Sequence, residues 1–286
     1  MTNLKKFTNR AKHAFLNDRQ LRFGIYGIVL LLLIVLFAPL IATENPYEFG
    51  SDILNGIGEN GHILGTNKMG QDVFSMIIYG TKTSLKVAII SALISGILGI
   101  LIGGAAGFFG GKVDQVISEI INIFMMLPTF FLILLIIAFF GNSLTNVMIV
   151  IGITTWPSNA KLMRAQALSL RERTFVKAAI AMGETKRQIL FKYIIPNGIF
   201  PVIANTTVGM SNAILTEAGL SFLGLGDPNI ISRGQMIYEG KPYITNAWRI
   251  ATFAGFALVI TVTIFYLLGD GLNHALNPKH NNQRGE

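Results

Sequence analysis

Residues 120–160 read IINIFMMLPTFFLILLIIAFFGNSLTNVMIVIGITTWPSNA, 41 positions without one Asp, Glu, Lys or Arg. A helix crosses a hydrocarbon core of ~30 Å with roughly 20 apolar residues, so this run is too long for a single crossing. It also contains its own interruption, because Gly141, Asn142, Ser143 and Asn146 gather the residue types that make turns. The run therefore holds two spans. Four further uncharged runs, at 23–41, 87–111, 193–216 and 250–268, bring the total to six. The fold class read from this pattern is all-α, a polytopic membrane protein with six transmembrane helices.

Composition agrees. Hydrophobic residues make up 51% of the chain, charged residues 13%, and the mean hydropathy is +0.55. A soluble domain carries about 25% charged residues. The run at 23–41 follows 22 residues, exceeds the length of a leader's apolar region and has no small-residue cleavage site after it, so it reads as a span. The chain has no cysteine, which excludes disulfides and thiolate metal sites and leaves the compartment unread from redox chemistry.

The basic residues set the orientation. With six spans both ends lie on one side. That side collects the tail residues Lys5, Lys6, Arg10, Lys12, Arg19 and Arg22, then Lys112, the eight basic residues from Lys161 to Lys192, and finally Lys279 and Arg284. Together these are 17 of the 23 Lys and Arg, while acids divide almost evenly. The positive-inside rule places both termini and the 161–192 loop in the cytoplasm. The net charge of +8 then follows from topology and anionic lipid, and nucleic-acid binding needs no appeal. The expected layout is a cytoplasmic tail at 1–22, a first helix at 23–41 and an extracytoplasmic segment at 42–83. A five-helix core follows at 84–270, with a cytoplasmic loop at about 167–192, and a second cytoplasmic tail occupies 271–286.

Within the second span, Ser91, Ser95, Gly99, Gly103, Gly107 and Gly111 place a small residue at every fourth position. This flat face lets a neighbouring helix approach, and packing is preferred over a pore-lining role. Pro128 is expected to kink the third span, and Pro157, Pro196 and Pro201 to sit near helix ends or in first turns. Ionisable residues within the spans are nearly absent. Glu217 comes closest, 21 residues after Pro196, or roughly 31 Å up a helix, near the outer interface. It is read as structural or as part of an outer gate. Proton- and sodium-driven transporters show buried acids or broken helices at the midplane. Uphill transport by this chain would draw its energy from another subunit.

No catalytic constellation is legible. Residues 107–112, GFFGGK, have the wrong spacing for a phosphate-binding loop, and Val113 stands where Ser or Thr would hold magnesium. His13, His62, His274 and His280 show no ligand spacing. Residues 224–227, GLGD, resemble an intramembrane aspartyl protease motif, but no second carboxylate is offered as a partner for Asp227. A turn is the better reading.

Four segments in order carry a family resemblance: LGTNKMGQDV at 64–73 with IYGTKTSL at 78–85; AAIAMG at 178–183 with IIPN at 194–197; EAGLSFLGLG at 217–226; and LGDGL at 268–272 with ALNP at 275–278. On these segments the chain resembles the inner-membrane permease subunits of binding-protein-dependent ABC importers. Within them it resembles the C-type permease of the dipeptide, oligopeptide and nickel group, with a type I importer-like transmembrane domain in the bacterial cytoplasmic membrane. The resemblance covers residues 22–278. It implies a chain without enzymatic activity and without a cofactor of its own. The partners it implies are a second homologous permease, two ATP-binding subunits that hold ATP and magnesium, an extracytoplasmic solute-binding protein, and membrane lipid.

The resemblance further implies that Phe175, Val176, Lys177, Ala178, Ala179, Met182 and Gly183 form a short coupling helix seated in a cleft of the ATPase. Ala178 and Ala179 would let it sit closely, and Gly183 would let the chain turn. Glu217, Ser221 and Phe222 are the candidates for an outer gate or translocation path. The chain departs from the family at Lys177, where Glu is usual, and at Asn67 and Gln71, where Asp and Arg are frequent; residues 228–236 lack the usual Trp. The solute expected is a di- or oligopeptide, with nickel or another chelated metal as the alternative in the same importer class. A passive channel and an intramembrane enzyme are the more distant alternatives.

Overall fold

The computed structural model describes residues 18–276. The tail residues Lys5, Lys6, Arg10, Lys12, Lys279 and Arg284 and the Asn277–Pro278 part of the last motif lie outside the described residues. Apart from one β-bridge between Thr66 and Asp72, the regular structure described is helical. Helix α1 (Arg19–Leu36) starts at Asp18, whose carboxylate accepts the Leu21 N–H at 3.0 Å. A short α2 (Ala38–Ile41) follows. Residues 42–72 form an irregular segment, and α3 (Val73–Phe109) then runs for 37 residues. It begins well before the uncharged run at 87–111, so part of the 42–83 segment is helical.

Helices α4 (Gly111–Met126) and α5 (Thr129–Phe140) meet at a bend of 88° around Pro128, the break expected of that proline. Gly141, at φ +86°, ends α5, and the Ser143 hydroxyl caps α6 (Leu144–Arg171) by accepting the Asn146 N–H at 3.2 Å. The turn therefore falls within 141–146, as its composition indicates. Next come α7 (Thr174–Ala181), α8 (Lys186–Ile189), a π-turn (Leu190–Ile194) and α9 (Ile195–Gly198). A 59° bend leads into α10 (Phe200–Phe222). Last are α11 (Arg233–Gly240) and α12 (Arg249–Leu276).

Three of these helices, α1, α3 and α12, are long and apolar enough to cross a membrane alone. The bent pairs α4–α5 and α8–α10 raise the number to five. Helix α6 is long but more polar. Pro157 lies inside it rather than near an end. The ring removes a backbone donor to Ile153. Nearby, the Thr154 and Thr155 hydroxyls donate to the Val150 and Ile151 carbonyls at 2.8 and 2.7 Å. Pro196 and Pro201 stand in first turns, as expected.

The glycine face of α3 is a packing face. A methyl group at Gly103 would strike the Ala160 carbonyl and one at Gly107 the Arg164 carbonyl, so α3 and α6 touch backbone to backbone. At the other side of the bundle α1 runs against α12, with Gly24 against Leu268 and Gly271 against Leu21. Asp18 and His274, near the ends of these two helices, are 3.4 Å apart.

Candidate functional site

The residues expected to couple lie on α7 and the turn after it. The Arg173 carbonyl accepts the Val176 and Lys177 N–H groups and starts the helix. It ends in a Schellman turn: Gly183 N–H donates to the Ile180 carbonyl at 3.0 Å and Glu184 N–H to Ala179 at 3.2 Å. Gly183 sits at φ +81°, the left-handed region a glycine enters without strain. No atom of the chain lies within 4 Å of where its Cβ would be, so the turn requires glycine for conformation and not for space. Thr185 then caps α8 in a reciprocal box with Gln188.

The helix presents two faces. Val176 and Ala179, three residues apart, are fully buried against Phe108, Met163, Ala167 and Ile189. Phe175, Lys177, Ala178 and Met182 are exposed, and Met182 is 71% accessible. The alanine pair is therefore divided: Ala179 anchors α7 to its own bundle, and only Ala178 belongs to the outward face. Lys177 pairs with Glu172 at 3.3 Å. That contact, first as a hydrogen bond and then through its charge, holds the Glu172 carboxyl below the usual range. Glu184 closes the corner by accepting the Tyr193 hydroxyl at 2.7 Å and Lys192 Nζ at 3.0 Å; these two bonds, Tyr193 first, lower its pKa. Sequence reasoning missed Glu184 and Tyr193, the latter lying within the π-turn.

The second candidate group lies at the far end of α10. Glu217 and Ser221, one turn apart, are both buried, and the Ser221 hydroxyl donates to Glu217 Oε1 at 2.7 Å. Phe222 is not gathered with them; it is 38% exposed, with Lys241 Nζ 5.4 Å from its ring centroid. Beside the pair lies Arg233, only 3% exposed, which no motif singles out. Its guanidinium donates to the Ala257 carbonyl at 3.1 Å, to the Thr81 hydroxyl at 2.5 Å and to the Thr261 hydroxyl. One side chain thus ties α11 to both α3 and α12. The GLGD motif is a turn: Asp227 accepts the N–H of Leu144 and of Asn229, each at 3.0 Å, and so helps cap α6.

The irregular segment at 42–72 is fixed at both edges. Asp72 caps α3, accepting the Ser75 N–H at 2.8 Å and the Thr43 hydroxyl at 2.8 Å, and lies 3.1 Å from His62 Nδ1. Arg249, 6% exposed, donates to the carbonyls of Leu54 and Asn55. Asn67 and Gln71, both buried, pair with each other, the Asn67 amide donating to Gln71 Oε1 at 2.8 Å.

Comparison with known proteins matches residues 95–282 to the family described as binding-protein-dependent transport system inner membrane component. The dipeptide transport system permease protein DppC of Alkalihalophilus pseudofirmus is 35% identical over 94% of this chain and 90% of its own length. The oligopeptide transport system permease protein OppC of Bacillus subtilis is 31% identical over 96% and 92%. Among solved structures, a chain of the inward-facing MetNI methionine ABC transporter superposes with a TM-score of 0.57 at 22% identity, covering 71% of this chain and 96% of that one. This last likeness concerns the fold.

Proposed function

The chain belongs to the family of binding-protein-dependent transport system inner membrane components, and from that membership we propose that it is one permease subunit of an ATP-driven importer of di- or oligopeptides. Two ATP-binding subunits, which hold the ATP and magnesium, a second homologous permease and an extracytoplasmic solute-binding protein complete the assembly. Six spans are proposed: α1, α3, the α4–α5 pair, α6, the α8–α10 pair and α12, with both termini cytoplasmic. The contact of Asp18 with His274 supports ends on one side, and the basic loop supports that side being the cytoplasm.

One observation carries the mechanism. Helix α7 anchors to the bundle through Val176 and Ala179 while Phe175, Ala178 and Met182 face away from it. A short helix packed rigidly on one side and exposed on the other transmits a push. Closure of the ATP-binding subunits would displace α7, and the buried contacts with Met163 on α6, Ile189 on α8 and Ile194 in the π-turn would carry that movement into the spans. Each ligand biases the inward–outward equilibrium only by its differential contacts in the two states. Glu217, Ser221 and Phe222 are proposed at the outer end of the path, with Arg233 holding α11 in register beside them.

The test is uptake of a labelled peptide by proteoliposomes containing the complete complex with its binding protein. Accumulation that requires ATP is expected. Flux without ATP would replace this reading with a channel.

A further inference from the structure

A cavity of about 260 Å³ opens between α3, α6 and α10. We infer that this cavity is the chain's half of a solute site that takes the uncharged amide groups of a peptide backbone. The inference rests on the permease reading above and adds the site and what it recognises.

Ser91 stands midway along α3, Ser158 midway along α6, and Asn212 near the middle of α10. In a chain that spans a membrane these three side chains fall within the uncharged runs 87–111, 120–160 and 193–216, where polar groups are not left facing hydrocarbon. Ser158 and Asn212 are nevertheless exposed. A wet path covers them, not lipid. The volume holds more than one water but falls short of the roughly 300 Å³ at which ligand pockets begin. A second permease supplies the other wall.

None of the lining residues is charged, and none is His, Met or a carboxylate. A relay of side chains runs across the cavity: Asn205 Nδ2 donates to Asn159 Oδ1 at 2.8 Å, and Asn159 Nδ2 donates to Ser95 Oγ at 3.0 Å. The relay leaves the Asn205 carbonyl oxygen as an acceptor and the Ser95 hydroxyl as a donor. On α6 the Thr155 and Ser158 hydroxyls spend their protons on the Ile151 and Thr155 carbonyls, at 2.7 and 3.2 Å, so each turns lone pairs outward. The Asn212 amide has no hydrogen-bond partner among the described residues. It offers two donors and an acceptor on one group.

Neutral donors and acceptors at close spacing match the alternating C=O and N–H of a peptide. They give no grip to a side-chain charge or to a metal ion, for which carboxylate, imidazole or thioether ligands would be needed. A site that reads backbone amides admits many peptide sequences.

The chain's lack of cysteine gives the test. Asn212→Cys and Ser158→Cys are made separately in the complete complex, with the other subunits cysteine-free, and exposed to a charged thiol reagent. Val259→Cys, on an exposed apolar face of α12, is the reference. Both cavity cysteines should label and the reference should not. Saturating peptide, delivered by its binding protein, should slow cavity labelling about tenfold, while a peptide methylated on its backbone nitrogens or a nickel chelate should not. Two small-for-small replacements on different helices guard against one failing to assemble. Unlabelled cavity cysteines, labelling indifferent to peptide, or protection by the metal chelate alone would each overturn the assignment. Unmodified complex is assayed in parallel for ATP-driven peptide uptake. If uptake is present without protection, only this site assignment fails; if uptake is absent, the peptide-importer reading fails with it.

Discussion

The Gly183 N–H donates to the Ile180 carbonyl at 3.0 Å with Gly183 at φ +81°, and this single turn sets where the outward face of α7 ends. A residue with a Cβ is strained there by roughly 1–2 kcal/mol. Because no chain atom lies near the vacant Cβ position, the strain is local and the bundle is untouched. Gly183→Leu should abolish uptake while leaving the chain in the membrane at its normal level, whereas Gly183→Asn, which tolerates the left-handed region, should keep part of the activity. Uptake and membrane abundance measured side by side check this; normal uptake by Gly183→Leu would remove the coupling role from the turn.

Asn67 and Gln71 form a buried neutral pair. Asn67 Oδ1 also accepts the Met69 and Gln71 N–H groups, at 2.9 and 3.0 Å. Asn67→Asp keeps these bonds but sets a buried charge against Gln71 Oε1, with an expected cost of about 3 kcal/mol. Adding Gln71→Arg should restore most of it, giving a coupling of about 1–3 kcal/mol. Denaturation of the purified chain in detergent, across the full double-mutant cycle, measures the coupling; additive effects would contradict the pairing.

Asp72 supplies a pH dependence. Burial pushes its pKa up, but bonds from the Ser75 N–H and hydroxyl, the Thr43 hydroxyl and His62 outweigh burial and hold it below its ordinary value. A carboxyl lowered on folding contributes stability that is complete above the unfolded pKa of about 3.9 and is lost as pH falls through the lower folded pKa. Thermal stability should decline below about pH 4, and Asp72→Asn, which keeps a capping oxygen for α3 but not the titrating charge, should flatten that decline. Parallel melting curves from pH 7 to 2 would show it; an unchanged slope would remove Asp72 as a source.

Two glycines should behave oppositely. Gly103 faces the Ala160 carbonyl, and Gly255 has nothing within 4 Å of its missing Cβ. Gly103→Val should separate α3 from α6 and cost about 1–3 kcal/mol or more. Gly255→Ala, inside α12, should be neutral or stabilise by about 0.5–1 kcal/mol. Melting temperatures of the two variants settle the contrast.

The helical, membrane-spanning character, the turn at 141–146 and the break at Pro128 were legible because charge depletion, turn residues and proline are local signals. The exposed and buried faces of α7 were not, since Ala178 and Ala179 are chemically alike and only the packing of Val176 against Phe108 and Met163 tells them apart. Arg233 was invisible for a related reason. In the sequence it is one charge in an external loop, and its partners Thr81, Ala257 and Thr261 come from two other helices. Pro157 misled because a proline in the middle of an apolar run looks like an end, while the Thr154 and Thr155 hydroxyls bond to backbone carbonyls around it. The cavity escaped the sequence reading because Ser91 and Ser95 fall on the same four-residue repeat as the packing glycines.

The proposed mechanism requires that ATP-hydrolysing partners grip this chain. The most direct measurement is gentle purification of the tagged chain from its native membrane, with every stoichiometric companion quantified. Two ATP-binding subunits and a second permease for each copy of this chain are the predicted result. A chain that comes away alone, and passes solute in liposomes without ATP, would contradict the account.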